Sequence, residues 1–538
     1  MAAGRKRLIL CCDGTWMDSD DGFNKPTLIP YRPTGTLQVP SNVTRISRAL
    51  RRTGLDCIPQ VIFYHSGVGT SSSFIDTVTG GFLGTGISEN IREVYSFITA
   101  NYVPGDEIIL IGFSRGAFTV RSVAGMIDNI GLLTRSGMDC FYPIFKDQEN
   151  FRAEHYRDIF PDVPFPNKPR GHNAARDYKR LLEDRALTRI YNPDGSKIRV
   201  QAVAVWDTVG SLGIPTISIL ARLGFPHSTK EYKFYDTDFS DIVSHGFQAL
   251  ALDEHRAPFA PAVWENKNTG TKTATDLRQV WFPGVHSNIG GGYDDQEIAN
   301  ISLAWMMDQL ASIGVAFQDE FIDHIFQKSV EFYEQPPTKA SLKANKQWAI
   351  TSVYDKHKPV RPWGLGKIYE SENGIWKLAG STRRTPGLNK RANPDNGLTT
   401  DVPMENTNER IHSCVRVRLN LEGLGLDDKK IYTCPALLGK GLWNLKQVRM
   451  ETDDPIPWNA TWGPGAPPPT GRPDDFRWIW EYCGPDDEDA PVDRIMVEET
   501  LGPYERKLLR MNTGEDIFST VHRKDGGLAV IDDCCNNV

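Results

Sequence analysis

An α/β fold, a mostly parallel sheet with helices on both faces, is predicted by three features of the sequence. Continuous apolar runs near residues 6–12, 60–64, 108–111, 200–206 and 278–282 have the length of strands and the apolarity of strands buried on both sides. Stretches with helical spacing of apolar residues lie between the earlier runs, which gives the strand, helix, strand order of parallel sheets. Polar or glycine-containing turns follow several runs, at the sheet edge where such folds gather their chemistry.

The first strand ends in Asp13-Gly14-Thr15-Trp16, a turn able to present backbone N–H groups. A helix is expected near Asn42–Arg52 and a second strand over Gln60–Tyr64, ending at His65. The glycine-rich stretch 80–86 lacks the Lys-Ser/Thr pair of a phosphate loop and is expected to be a turn. Ile87, Ile91, Val94, Tyr95 and Ile98 then share one helical face, and Pro104-Gly105-Asp106 ends that helix. The apolar run Ile108–Ile111 leads into Gly112-Phe113-Ser114-Arg115-Gly116 and a helix to about Ile127. Residues 133–196 break the alternation with scattered aromatics and prolines and are expected to be an inserted cap, a candidate lid. Val200–Trp206 is the next strand and delivers Asp207; a helix is expected near Asp241–Leu252. A strand over Arg278–Phe282 leads to His286 and the run Gly290-Gly291-Gly292, followed by a helix near Ile298–Ile313. Past residue 330, strand-like runs stand at Val415–Leu421, Ile431–Leu437 and Phe476–Tyr482, with a helix near Glu498–Met511. The proline-rich 458–469 is expected to be loop.

Length and composition bound the function. At 538 residues the chain exceeds the roughly 250–300 at which single cores stop growing. Residues 1–330 are therefore expected to form the catalytic domain and 331–538 a loop-rich α+β extension packed on it. The formal charge of −7 carries no concentrated basic face, which argues against nucleic acid as a partner. The basic start Arg5-Lys6-Arg7 precedes too short an apolar run for a secretion signal, and no run approaches the ~20 residues that span a bilayer. A cytoplasmic location is expected, with peripheral membrane contact left open. Nine cysteines without a Cys-x-x-Cys pair are expected to be free thiols, and neither a metal nor a cofactor is implied.

Gly-x-Ser-x-Gly between an apolar strand and a helix is the pattern of a nucleophile elbow, in which a strained turn lifts a serine hydroxyl for attack. Ser114, Asp207 and His286 follow in the order nucleophile, acid, base, each at the carboxyl end of an expected strand. A serine alcohol is a poor nucleophile at neutral pH, so a histidine must take its proton and a carboxylate must orient the imidazole. The Arg115 N–H and a donor from Gly14 or Thr15 are the candidate oxyanion hole. Asp13 and His65 are candidate substrate-binding residues. Asp253, Asp294 and Asp295 are rival acids, less favoured than Asp207.

Cys-Cys-Asp-Gly-Thr-Trp (11–16), Gly-Phe-Ser-Arg-Gly-Ala (112–117), Val-Trp-Asp-Thr-Val-Gly (205–210) and Pro-Gly-Val-His-Ser-Asn-Ile-Gly-Gly-Gly (283–292) resemble an uncharacterised α/β-hydrolase family related to the catalytic module of bacterial type VI secretion phospholipase effectors. The resemblance covers about residues 6–315. It implies an α/β-hydrolase-like fold, with Ser114, Asp207 and His286 on the triad positions and carboxylic ester hydrolysis, phospholipase-like, as the activity; Asp253-Glu254-His255-Arg256, followed by Pro258 and Phe259, also resembles a family segment, which makes Arg256 a candidate substrate-binding residue. Asn288 departs from the aspartate that the family usually carries there. Two functions follow as expectations: a serine esterase acting on a lipid or small-molecule ester through a catalytic triad, or a catalytically weak α/β-hydrolase-like binding or scaffold protein.

Overall fold

The computed structural model describes residues 4–14, 22–24, 35–37, 39–67, 82–151, 156–171, 173–209, 238–267, 275–334, 354, 360–371, 380–393, 399–449 and 476–511. Their largest element is a sheet of ten strands. In chain order these are β1 (Arg7–Cys12), β2 (Gln60–His65), β3 (Glu107–Phe113), β4 (Val200–Trp206), β5 (Val243–Ala251), β6 (Asp276–Phe282), β7 (Glu409–His412), β8 (Trp443–Arg449), β9 (Phe476–Tyr482) and β10 (Ile495–Glu499). Across the sheet the order is β2-β1-β3-β4-β5-β6-β7-β10-β9-β8. Neighbours from β2 to β10 run parallel, and β9 and β8 add an antiparallel edge. The order reverses between β1 and β3, and such a switch point opens a crevice at the strands' carboxyl ends. Asp13-Gly14 and Ser114 stand on either side of it. The α/β class and the mostly parallel sheet are as the sequence predicts.

Helices cover both faces. On one, α1 (Asn42–Ala49), α4 (Glu297–Ser312) and α6 (Pro503–Met511) pack with Ile9, Cys11, Ile109, Ile111 and Trp206. On the other, α2 (Phe82–Asn101) and α3 (Arg115–Ile130) pack with Leu8, Leu10, Ile108, Leu110 and Val205. Alternate residues of one strand thus enter opposite cores, which is why β1 and β3 are apolar from Leu8 and Ile108 onward, the buried Arg7 and Glu107 at their starts pairing with each other (2.5 Å). Within the 133–196 insertion, Phe141, Phe145, Phe151, Phe165 and Tyr178 join the second core, so its aromatics serve packing there.

Several expected elements take another form. The helix expected at Asp241–Leu252 is strand β5, flanked by β4 and β6. Its Gln248 looks like the polar face of a helix but is buried, its amide donating to Gln279 Oε1 (3.0 Å) and the Ala262 carbonyl (3.0 Å). The strand-like Val415–Leu421 lies in helix α5 (Ser413–Asn420). Its alternation misleads because Arg416 and Arg418 are buried too: Arg416 pairs with Glu498 (2.7 Å), and Arg418 donates to the Gly364 (2.9 Å) and Gly366 (2.7 Å) carbonyls. Ile431–Leu437 contains a short helix from Pro435 rather than a strand. The helix expected from Glu498 starts at Pro503, after β10, and the turn expected at 80–86 runs into α2 from Phe82. Residues 458–469 lie outside the described residues.

Candidate functional site

Ser114 is held at the tip of the β3–α3 turn with φ 57° and ψ −120°, left-handed torsions that a residue with a Cβ rarely adopts. Two glycines make this turn possible. A Cβ on Gly112 would lie 2.6 Å from the Gly116 carbonyl oxygen, and one on Gly116 only 2.1 Å from the Cys12 carbonyl oxygen. Strand and helix therefore meet closely only because both positions lack side chains. The Ser114 amide donates to the Trp206 carbonyl (3.1 Å), tying the turn to the end of β4.

Asp207 follows β4 immediately, with φ 37°, and is fully buried. Its Oδ2 lies 2.6 Å from His286 Nδ1, and its Oδ1 accepts the Ala251 N–H (3.1 Å). His286 opens the short helix His286–Gly290 just after β6. Its ring lies between Phe113 and Phe259, at centroid distances of 4.6 and 5.0 Å. Among the described residues no hydrogen bond joins Ser114 to His286, so the imidazole is held by Asp207 and not by the serine. Catalytic hydrogen bonds are often long without substrate.

Sequence reasoning missed two groups here. Arg384 sends both terminal nitrogens to Asp207, Nη1 to Oδ1 (3.3 Å) and Nη2 to Oδ2 (3.0 Å). Burial pushes the Asp207 carboxyl up, but Arg384 and the His286 hydrogen bond outweigh it and hold it below the usual range. Glu254 is the second: its Oε2 accepts the His286 backbone N–H (3.2 Å). Against burial, the Arg256 fork brings Glu254 down to about 2. An arginine far along the chain, with no motif around it, leaves no sequence signal.

Asp13 is buried at the end of β1. Oδ2 accepts from Ser41 (2.6 Å), Thr44 (2.7 Å) and Tyr64 (2.9 Å), and Oδ1 from the Gly14 N–H (2.7 Å). Burial raises its carboxyl to about 6 despite these donors. About four acceptor sites exist on a carboxylate, so this one is filled by the protein. Gly14 approaches the serine closely, since a Cβ there would lie 3.2 Å from Ser114 Cβ. Thr15 lies outside the described residues. Arg115 begins α3. The His65 carbonyl accepts the Asp13 N–H (2.9 Å), while its ring nitrogens lie 2.6 Å from the Ser66 carbonyl and 2.7 Å from Glu93. Arg256 stacks 3.5 Å above the Phe259 ring centroid, beside His286. Among the rival acids, Asp253 accepts from Gly284 N–H (2.6 Å) and Tyr432 (3.0 Å), and Asp295 from Tyr333 (2.5 Å). Asn288 donates its amide to the Lys367 carbonyl (2.8 Å), which an aspartate could not do. Among the described residues no cluster of metal-ligating side chains occurs, and no helix is long and apolar enough to cross a membrane.

Residues 6–309 match the family described as type VI secretion system phospholipase effector, Tle1-like, catalytic domain. An uncharacterized protein of Saccharomyces cerevisiae is 23% identical over 269 residues, 47% of this chain and 32% of that protein. An uncharacterized Pseudomonas aeruginosa protein of known structure is 16% identical, with TM-score 0.32, over 59% of this chain and 47% of that one. The Tle1 effector solved bound to the VgrG spike of the type VI secretion system is 16% identical, with TM-score 0.28, over 55% of this chain and 52% of that one. The chain thus spans about a third of the yeast protein and about half of each solved chain. It belongs to the Tle1-like phospholipase effector catalytic-domain family.

Proposed function

We propose that this member of the Tle1-like catalytic-domain family is a serine hydrolase that cleaves carboxylic esters through an acyl-enzyme, with glycerophospholipids as its substrate class. The observation that carries the reading is the buried Asp207–His286 pair at 2.6 Å, at the same sheet edge as a serine in the torsions of an elbow. In this scheme Asp207 keeps the proton on Nδ1, leaving Nε2 to take the Ser114 proton as the hydroxyl attacks the ester carbonyl. The tetrahedral oxyanion would be met by the Arg115 N–H at the start of α3. The Gly14 N–H donates to Asp13 Oδ1 (2.7 Å) and would have to leave it to act as the second donor. His286 then protonates the leaving alcohol, and water enters by the same base to release the acid. The phospholipid assignment rests on the family alone.

Labelling with a fluorophosphonate tests the chemistry. An adduct on Ser114 of the folded chain is expected, together with a loss of about 10⁴-fold or more in ester hydrolysis for Ser114→Ala. Absence of an adduct, with hydrolysis unchanged in Ser114→Ala, would leave the weakly catalytic binding protein as the better reading. Release of fatty acid from vesicles of defined phospholipids, set against short water-soluble esters, tests the substrate class.

A further inference from the structure

We infer that Arg384 is a positioning residue of the acyl-transfer site: its guanidinium holds the Asp207 carboxylate against His286 and offsets its charge, so chain beyond the family-matched span completes the site. This rests on the serine-hydrolase reading above. Arg384 lies well past residue 309, where the family match ends. It is brought in by backbone pairing of 380–382 with 255–257: the Thr382 N–H donates to the His255 carbonyl (2.8 Å) and the Ala257 N–H to the Gly380 carbonyl (3.0 Å). From there its Nη2 bonds both Asp207 Oδ2 (3.0 Å) and the Phe259 carbonyl (2.6 Å), and Nη1 takes Oδ1 (3.3 Å). A planar fork on a planar carboxylate fixes its rotation as well as its place. Oδ2 is the same oxygen that meets His286 Nδ1, so fixing the carboxylate fixes the imidazole.

The charge balance points the same way. Two carboxylates hold His286, Asp207 at the ring Nδ1 and Glu254 at the backbone N–H, and two guanidiniums reach it through them, Arg256 on Glu254 and Arg384 on Asp207. Each carboxylate is matched by one guanidinium, Glu254 by Arg256 and Asp207 by Arg384. Phe113 and Phe259 lie against the imidazole, and the neighbouring Asp253 is occupied by the Gly284 N–H and the Tyr432 hydroxyl. Without Arg384 the two carboxylates that hold His286 would be balanced by one guanidinium. The protonated imidazole would then be favoured, and protonated imidazole is not a base.

The test is the rate of fluorophosphonate labelling of Ser114 in the full chain from pH 5 to 9, for wild type, Arg384→Gln and Arg384→Lys. For Arg384→Gln the acid limb is expected to move up by about one pH unit and the plateau to fall about 10-fold or more. Lysine keeps the charge and loses the fork, so its limb should stay at the wild-type position while the plateau remains reduced. Wild-type limb and plateau in Arg384→Gln overturn the inference. Should the glutamine variant fail to fold, judged by near-UV circular dichroism, the lysine variant decides: a reduced plateau on an unmoved limb supports the role, and a profile identical to wild type overturns it. If wild type itself acquires no Ser114 adduct, the serine-hydrolase reading has failed first, which distinguishes the two.

Discussion

Replacing Gly116 by alanine should damage both stability and acylation, and the geometry sets the scale. The new Cβ would sit 2.1 Å from the Cys12 carbonyl oxygen, 2.5 Å from that of Asp13 and 2.6 Å from the Cys12 carbonyl carbon. These are backbone atoms at the end of β1, which is paired on both sides by β2 and β3, so no side chain can rotate away. Bringing such contacts to ordinary van der Waals separation requires a shift of about 1 Å between α3 and β1. Overpacking of this kind costs about 1–3 kcal/mol, and the rigid backbone argues for the upper end. A misplacement of about 1 Å between catalytic parts costs on the order of 10²-fold in rate. Gly125 is the internal control. It lies in the same helix with nothing within 4 Å of its would-be Cβ, so Gly125→Ala should gain about 0.5–1 kcal/mol from helix propensity alone. Denaturant midpoints at constant m, with Ser114 labelling rates, measure both effects. A Gly116→Ala protein as stable and as reactive as wild type, or a Gly125→Ala protein equally impaired, would refute the steric account of the elbow.

Two further outcomes are expected. Asp207→Asn removes one partner of a buried ion pair and leaves Arg384 uncompensated, so it should cost about 3–5 kcal/mol by chemical denaturation and on the order of 10⁴-fold in acylation. Glu409 is buried on β7, where it accepts from the Gly387 N–H (2.7 Å) and Asn389 (2.8 Å), and burial pushes its carboxyl from 4.5 up to about 7 despite these donors. The folded protein thus holds this proton more tightly than the unfolded chain does. Its stabilising contribution is complete below pH 4.5 and is lost as pH rises through 7, by about 3 kcal/mol. Glu409→Gln should flatten that slope, and an unchanged stability difference between the two proteins at pH 4.5 and pH 8 would refute the assignment.

The features of this protein that can be read from neighbouring residues are those whose physics is local. An apolar run buried on both faces reads as a strand wherever it occurs, and β1, β3 and β4 stand close to where their residues predict. Gly112 and Gly116 flank Ser114 because backbone must meet backbone there, and that requirement is written in adjacent residues. The order of Ser114, Asp207 and His286 at three strand ends was legible for the same reason. Tertiary structure decided everything that depends on distant partners. Gln248 and Arg416 look solvent-facing until Gln279 and Glu498 satisfy them in the interior, and this turned an expected helix into β5 and an expected strand into α5. Which group balances Asp207 was likewise invisible, because Arg384 reaches it only through the pairing of 380–382 with 255–257. Burial converts a buried polar group's partner into its determinant, and the partner's place along the chain is set by topology rather than by neighbouring residues.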